Sequence, residues 1–537
     1  MHDPWQTDPL AAEGLVDARL PADWDSKFDL AVLSGSDSTL VAGALCKRGQ
    51  ARLLIYLPSE NDQAVKMRLA ETAPPAKFFQ SLDELALMLD RLAVGRPPQK
   101  LWFFASLDDQ VPFPAPVKKM VDEAMPLWLT NYHTAQQFGE RWAVQGLANL
   151  PALMKTPSIT TLRNAFSGKP AIIVSPGPSL KKNISQLKAL QDRAVIISSL
   201  QTLKPLFSEG VIADFALVIE AVDLNYMFAA LPPQYLLKLP GLVLGVTIHP
   251  DTYYQPLQNT QIFSFASNNY ADEWLYSNYG DEAHLPGGGS VSCAAIAFGS
   301  YLGCSSLTLV GQDLSFSDGK MYIDTAPLGG TSATLSSDGQ TLQVNYRGMS
   351  QEVQNELRQW HVRPTARKLP GYDGGEVVTT ADFFHFHGWF VRFAEYHKKR
   401  HRFYNSTEGG AFIPGMEHLP LAEVSRREFS ATIDKRSIIE TRHAAAMASP
   451  AQAERRARIS RFVRQCAEQL RQVTALCRRA ADLETATRLR KLTLSMEFFT
   501  KICGQRLDPI EAATASQIEQ EAARLLPLMA AIEQRIS

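Results

Sequence analysis

The chain has 537 residues, 45% hydrophobic and 20% charged, with a formal net charge of −1. It is too long for one ordinary domain and has ample apolar material for more than one core. So small a net charge excludes a global basic field that would draw the chain onto nucleic acid or anionic lipid, and no apolar run is long enough to cross a bilayer. The amino terminus, "MHDPWQTDPLAAEGL", carries acids and prolines where a signal peptide would carry basic residues and an apolar core. Cys46, Cys293, Cys304, Cys466, Cys477 and Cys503 are scattered without a CxxC pair, the usage of free thiols in a reducing compartment. The expected address is the cytoplasm.

In chain order, residues 1–150 alternate short apolar runs with helical periodicity. "LAVLSGSDSTLVAGALCKRG" predicts a strand, a Gly/Ser turn and a helix, and "ARLLIYLPSE" the next strand. "LDELALMLDRL" predicts an amphipathic helix and "KLWFFAS" a further buried strand. Such alternation implies a small, incomplete parallel α/β unit of Rossmann-like type. Residues 161–415 repeat the pattern with more material, with candidate strands "AIIV", "AVIISS", "FALVIE", "LVLGVTI", "IFSFAS" and "SLTLVG". Leu180, Ile184, Leu187 and Leu190 fall on one face of the helix predicted for "LKKNISQLKAL". "GGTSATLSSDGQT", Gly329–Thr341, reads as an exposed, mobile loop.

From 421 to 537 strand signals vanish and Ala, Arg, Glu and Gln dominate. Ile459, Phe462, Cys466, Leu470, Val473, Cys477 and Ala480 recur at spacings of three and four. So do Leu489, Leu492, Met496 and Phe499, and Ile518, Ala522, Leu525, Met529, Ile532 and Ile536 after the helix start at Asp508–Pro509. A helical bundle or hairpin is expected, its arginines forming a solvated face or, as a sharper reading, a protein-docking surface.

Two Gly-rich turns carry the chemistry. "SPGPSLKK" is neither a dinucleotide fingerprint nor a Walker loop. In it Gly177 admits close backbone approach, Pro176 and Pro178 stiffen the turn, and Ser179 stands where an N-cap would, before a helix whose free N–H groups attract an anion. A plain capped turn is the alternative. "HLPGGGSVSCAAIAF" places Gly287, Gly288, Gly289 and Ser290 before another helix, leaving N–H groups near Ser290 and Val291 for an anion or a hydroxyl-rich ligand. "LTLVGQDLSFSDGKMY" then sets Gln312, Asp313 and Tyr322 at the carboxyl end of a buried strand, where parallel α/β sheets bind ligands.

Together "IIVSPGPSLKKNI", "ADFALVIEAVD", "GGSVSCAAIAFGSYLGCSSLTLVGQDLSFSDGKMY" and "YNSTEGGAFIPG" resemble the motility-associated factor family of bacterial proteins implicated in flagellin glycosylation. The resemblance spans about 161–415, and the flanking regions fit that family's three-part layout. The central domain is in turn similar to bacterial CMP-sugar sialyltransferases and, more distantly, to an archaeal pterin diphosphokinase group. It implies an inverting, metal-independent glycosyltransferase with flagellin as partner, carrying pseudaminic or legionaminic acid from a CMP-nonulosonic acid co-substrate to flagellin Ser/Thr hydroxyls, with no further cofactor. Matched by motif, Ser175, Gly177, Pro178 and Ser179 fall at the nucleotide end of the donor, and Ser199 and Glu220 fall against nucleotide and sugar. Gly288, Gly289, Ser290 and Gln312 fall beside the donor, while Asp313 and Tyr322 take the catalytic positions, Tyr322 supporting the leaving phosphate.

The histidine base of the sialyltransferases has no counterpart in "GYDGGEVVTTADF"; His361 lies upstream and His385 and His387 just beyond. Asp313, Asp373 and Glu408 are the substitutes, the last two as candidate cleft residues, although "NSTEGGAFIPG" also fits an ordinary turn. His385 and His387 sit among aromatics on a predicted helix and read as packing. His397 and His401, spaced by four, read as a solvated face rather than metal ligands, since no third ligand accompanies them. Two other functions stay open at this level: a flagellin-binding escort with an inactive nucleotide fold, and a pterin pyrophosphokinase.

Overall fold

The computed structural model describes residues 9–536 apart from 22, 36, 59–65, 68, 70, 72, 83, 86–87, 90–95, 107–110, 256, 268, 281–283, 287, 352–353, 356–364, 479–488, 490–491, 494–495, 497–501 and 504–513. His361, Gly287, Ala480, Phe499, the Asp508–Pro509 helix start and much of "LDELALMLDRL" therefore lie outside the described residues. The chain divides into two compact units, Met1–Gln137 and Phe138–Ser537.

In the first unit β1 (Leu30–Ser34), β2 (Leu53–Tyr56), β3 (Ala76–Phe79) and β4 (Leu101–Phe104) form a parallel sheet in the order β3-β2-β1-β4. The strand missing from the sequence reading is β3, whose four residues include one buried side chain, Phe79, too little for a periodic signal. Helices α1 (Pro9–Arg19) and α2 (Ser38–Lys47) belong to this unit. A long helix, α3 (Ala115–Leu153), carries the chain into the second unit, so the boundary expected near 150 falls inside a helix.

The second unit is built on eight strands: β5 (Pro170–Val174), β6 (Val195–Ser199), β7 (Phe215–Val218), β8 (Gly241–Gly245), β9 (Gln261–Phe265), β10 (Ser306–Val310), β15 (Arg402–Asn405) and β16 (Glu417–His418). Their order is β16-β15-β10-β5-β6-β7-β8-β9, with every pairing parallel. Successive strands run outward from β5 to β9, and the chain then returns to lay β10 on the other side of β5. The switch point of this α/β sheet is thus between β5 and β10, where a ligand crevice forms outside the carboxyl ends.

The apolar runs of these strands are buried on both faces, as helix-covered parallel sheets require. Alternation along β5 shows it: Ala171 and Ile173 belong to one core cluster, Ile172 and Val174 to the other. The face of Ile172 and Val174 packs on α4 (Ile184–Leu190) and α5 (Leu200–Ser208), through Leu187, Leu203 and Leu206. The opposite face packs on α7 (Val291–Tyr301) and α8 (Ala381–His397), through Ile296, Phe298, Phe390 and Phe393. Between β9 and α7 the chain forms α6 (Tyr270–Tyr279).

The helical tail contains α9 (Leu421–Glu428), α10 (Lys435–Met447), α11 (Pro450–Cys477) and α12 (Ala515–Ile536). It shares a core with the sheet. Ile459, Phe462, Leu470, Ile518, Leu525 and Met529 join the cluster that holds Leu242 and Leu244, and Phe462 meets Trp274 of α6 edge to face at 5.6 Å. Arg458 and Arg471 lie on the exposed side, pairing with Glu454 and Glu533. Arg455 corrects the expectation of a wholly solvated arginine face. It is buried, donating Nη1 to Thr156 O at 3.1 Å and Nη2 to Ser264 Oγ at 2.9 Å.

One further segment differs from its sequence reading. Gly329–Thr341 is no open loop: β11 (Thr331–Leu335) and β12 (Leu342–Tyr346) pair as an antiparallel hairpin. Its turn is closed by Ser336, whose Oγ donates to Thr341 O at 2.8 Å. A second hairpin, β13 (Ala366–Pro370) with β14 (Glu376–Thr380), supplies the "GYDGG" turn.

Candidate active site

The turn after β5 folds back on the strand end beside it. Gly177 N donates to Gly311 O at 2.9 Å and Ser175 N to Val310 O at 2.9 Å. A Cβ on Gly177 would stand 2.1 Å from Asp313 Oδ2 and 2.4 Å from Gly311 O. The glycine is therefore needed for close packing of turn on strand end. The N-cap reading of Ser179 is corrected. It lies inside a short 3-10 helix, Pro178–Lys182, whose N-cap is Gly177, so it caps nothing. Its Oγ donates to Asp313 Oδ2 at 2.6 Å and its N–H faces the same carboxylate at 3.3 Å, so that N–H is not free for an anion.

Asp313 is almost wholly buried, and its other oxygen, Oδ1, accepts from Ser317 Oγ at 2.7 Å. Burial pushes its carboxyl upward; the bonds from Ser179 and Ser317 and the Lys182 ammonium oppose the rise. The geometry makes Asp313 a clamp holding the "SPGPS" turn to the "GQDLSFS" segment.

Three segments distant in sequence meet at Ser175. Its Oγ donates to Gln312 Oε1 at 2.6 Å and lies 3.0 Å from Ser292 Oγ, so Ser292 supplies the proton of that second contact. Ser292 belongs to the first turn of α7, capped by Ser290, whose Oγ accepts from Ser292 N at 3.2 Å. Before it, Gly288 (φ 50°) and Gly289 (φ 83°) occupy left-handed backbone and pack against Trp389 and Phe386. The amino end of α7, with its positive partial charge, is thereby set over the carboxyl end of β5 at the switch point. Ser292 escaped the sequence reading, although it stands two residues beyond Ser290 in the same motif.

"NSTEGGAFIPG" closes the floor of the site. Thr407 Oγ1 accepts from Gln312 N at 3.1 Å, Asn183 Nδ2 donates to Ser406 O at 2.7 Å, and Lys182 Nζ donates to Glu408 O. Ala411 N donates to Asp313 O at 2.8 Å, and Tyr372 N donates to Gly410 O at 2.8 Å, bringing in the "GYDGG" turn. The Tyr372 phenol is pushed up to about 12, first by burial, then by Glu408 and Asp373. Glu408 itself is occupied, its Oε1 accepting Leu421 N of α9 at 3.0 Å. Asp373 is exposed on the hairpin turn.

Gly410 tests this seating. Its φ is +69°, and a Cβ there would meet Asp313 O at 2.3 Å and Asp313 Cα at 2.5 Å. Gly410→Ala is expected to destabilise the protein by about 1–3 kcal/mol through overpacking and backbone strain. Urea unfolding reads it, and an unchanged midpoint would show that the loop does not rest on Asp313.

Toward β7, Ile323 N donates to Pro176 O at 2.8 Å and so holds the neighbouring Tyr322 beside the first turn. The Tyr322 phenol is pushed up by burial, with smaller contributions from the Glu220 charge and Tyr346. Ser199, closing β6, bonds Thr202 Oγ1 at 2.8 Å. Among the residues proposed from sequence, Ser175 thus meets Gln312, and Gly177 and Ser179 meet Asp313, while Ser290 caps the helix that brings Ser292 to Ser175. Glu220, Tyr322 and Ser199 lie along the same carboxyl edge.

Two of the candidate histidines, His387 and His401, are held at backbone carbonyls. His387 Nε2 lies 2.7 Å from Phe412 O, and burial beside Arg392 pulls His385 down to about 4. His401 corrects the solvated-face reading, being buried with Nε2 on Ser300 Oγ at 2.8 Å and Nδ1 on Cys304 O at 2.7 Å. Among the described residues, no three His, Cys, Asp or Glu side chains stand together to hold a metal, and no helix is long and apolar enough to cross a membrane. A recess of 240 Å³ lies at the opposite, amino-terminal edge of the sheet beside Gln191, Asp214 and Lys435, away from this cluster.

An eight-stranded parallel α/β sheet with polar turns gathered at its switch point defines a doubly wound, Rossmann-like class of fold. Comparison with known proteins narrows it. Residues 145–319 match the family model described as "6-hydroxymethylpterin diphosphokinase MptE-like". The fold is similar to a solved structure described as "Structure of MAf glycosyltransferase from Magnetospirillum magneticum AMB-1", with 16% identity and a TM-score of 0.53, over 95% of this chain and 80% of that one. Both likenesses agree with the resemblance carried by the sequence motifs. No curated protein matches the chain.

Proposed function

We propose that this chain is a glycosyltransferase of the motility-associated factor kind, acting in the cytoplasm. In this reading it transfers pseudaminic or legionaminic acid from the CMP-activated sugar to Ser/Thr hydroxyls of flagellin, with inversion and without a metal. The observation that carries the reading is the Ser175–Ser292–Gln312 cluster at the switch point, within a fold similar over 95% of the chain to a structure described as a MAf glycosyltransferase. The cytidine end of the donor would lie over Ser175, Gly177, Pro178 and Ser179, with Ser199 at the next strand end. The Ser290 end of α7, with Gly288, Gly289 and Gln312 around it, would face the phosphate or the sugar carboxylate, because a helix amino terminus favours anions. Tyr322, kept protonated by its surroundings, would donate to the leaving phosphate and stabilise the charge that develops there.

A pterin diphosphokinase is the second reading, favoured by the family match over 145–319. A flagellin escort is the third. One experiment separates them: the full chain is titrated with CMP and with ATP by calorimetry, then incubated with the CMP-sugar and unmodified flagellin, which is weighed by mass spectrometry. The proposal predicts CMP binding, CMP release and flagellin heavier by one sugar. Flagellin bound at unchanged mass with a verified donor would instead support the escort. Turnover of ATP with 6-hydroxymethylpterin would support the diphosphokinase.

A further inference from the structure

A transferase of this kind needs a base for the acceptor hydroxyl, and the carboxylates suggested by sequence are engaged or remote. Asp313 is held by Ser179 and Ser317, Glu408 bonds the first turn of α9, and Asp373 is on an exposed turn. Glu220 is differently placed. It lies two residues beyond β7, at the carboxyl edge of the sheet where the crevice forms. Its Oε2 accepts Ile219 N at 3.0 Å, and among the described residues no Lys, Arg or His forms an ion pair with it. Tyr322 is within range of its charge, and the adjoining Ile323 is bonded to Pro176 in the donor turn. A carboxylate satisfied by backbone alone, beside the donor turn, has lone pairs to give to a substrate.

We infer that Glu220 is the general base that takes the proton of the acceptor hydroxyl. The inference rests on the transferase reading above. The acceptor oxygen bonds to the anomeric carbon as the bond from that carbon to the phosphate oxygen breaks. CMP departs with that electron pair, and the hydroxyl proton passes to the Glu220 carboxylate and then to solvent. Burial holds the Glu220 carboxyl above the ordinary range, nearer the operating pH, where a base works best. The groups around it are Tyr322 from the segment after β10, Tyr346 of β12 behind that phenol, and His249 after β8, whose N–H donates to Glu220 O at 3.3 Å.

The test compares wild type, Glu220→Gln, Glu220→Asp and His249→Gln as full chains with CMP-sugar and flagellin. Glu220→Gln should bind CMP as wild type does while kcat falls roughly 10²- to 10⁴-fold, the span of general-base effects. Glu220→Asp should recover part of that loss. The acid limb of the wild-type pH profile should lie above the ordinary carboxylate range, persist in His249→Gln and vanish in Glu220→Gln. This wild-type limb can be read even if a variant fails to fold. Wild-type kcat in Glu220→Gln, an acid limb at ordinary carboxylate pH, or its loss in His249→Gln would overturn the assignment. A wild-type protein that neither releases CMP nor modifies flagellin would overturn the transferase reading and this inference with it.

Discussion

Lys435→Met is expected to destabilise the protein by about 3–5 kcal/mol, the usual effect of removing one partner from a buried ion pair. Lys435 opens α10 and donates Nζ to Asp214 Oδ2 at 2.6 Å, to Ala194 O at 3.0 Å and to Gln191 O. The two side chains are only 8% and 7% exposed. Asp214 is also fixed to the sheet, since Oδ2 accepts Ile196 N at 2.7 Å. Removing the ammonium leaves a carboxylate in the interior without a counter-charge.

The loss depends on pH with a definite sign. Burial raises the Asp214 carboxyl, and the nearby ammonium pulls it back. In the variant the ammonium's pull is gone and burial outweighs the remaining Ile196 N–H bond, so the folded state binds a proton that the unfolded state has released. The penalty grows as pH climbs from the ordinary carboxylate value toward the raised one, and fades below the ordinary value. Urea unfolding at neutral pH and at about pH 5 should therefore show a smaller difference from wild type at the lower pH. Lys435→Met combined with Asp214→Leu should recover most of the stability, because no buried charge is stranded. Equal losses at both pH values, or no recovery in the double variant, would mean that the pair does not hold α10 to the sheet.

The second large effect concerns Asp313. Asp313→Ala removes the acceptor of the Ser179 hydroxyl, the Ser317 hydroxyl and the Ser179 N–H. At about 1–3 kcal/mol for each buried group left unsatisfied, a loss of at least about 3 kcal/mol is expected. The "SPGPS" turn also loses its side-chain tie to Asp313, one of several to the end of β10, so CMP affinity should fall by about tenfold. Asp313→Asn keeps the shape and one acceptor oxygen, so it should be folded and informative. A clamp predicts a raised KM for the donor with kcat largely kept. Lost kcat at unchanged KM would instead make Asp313 the proton acceptor.

Much of the second unit's sheet is legible in its apolar runs. Runs such as "AIIV", "AVIISS" and "SLTLVG" are buried on both faces, and their lengths and flanking turns announce strands. β15 is not legible in this way. "RFYN" is short, begins with an exposed arginine and follows a basic helix end, and only its pairing with β10 and β16 makes it a strand. The hairpin of β11 and β12 escaped for a similar reason, since its Ser, Thr and Gly composition reads as loop until cross-strand pairing is seen. Arg455 and His401 misled because their residue types predict exposure, whereas carbonyl and hydroxyl partners brought by distant segments make burial tolerable.

By itself the sequence determined the alternating α/β class, the apolar faces of the tail helices and the Gly-rich motifs, because these depend on local periodicity and turn chemistry. The tertiary structure decided what the motifs do. Ser175 meets Ser292 across 117 positions and Gln312 across 137, separations at which no local pattern carries information. Only the return of β10 to the side of β5 brings them together. The same return turns Asp313 inward as a clamp on Ser179, while Glu220, two residues beyond β7, is held among the described residues by backbone N–H bonds.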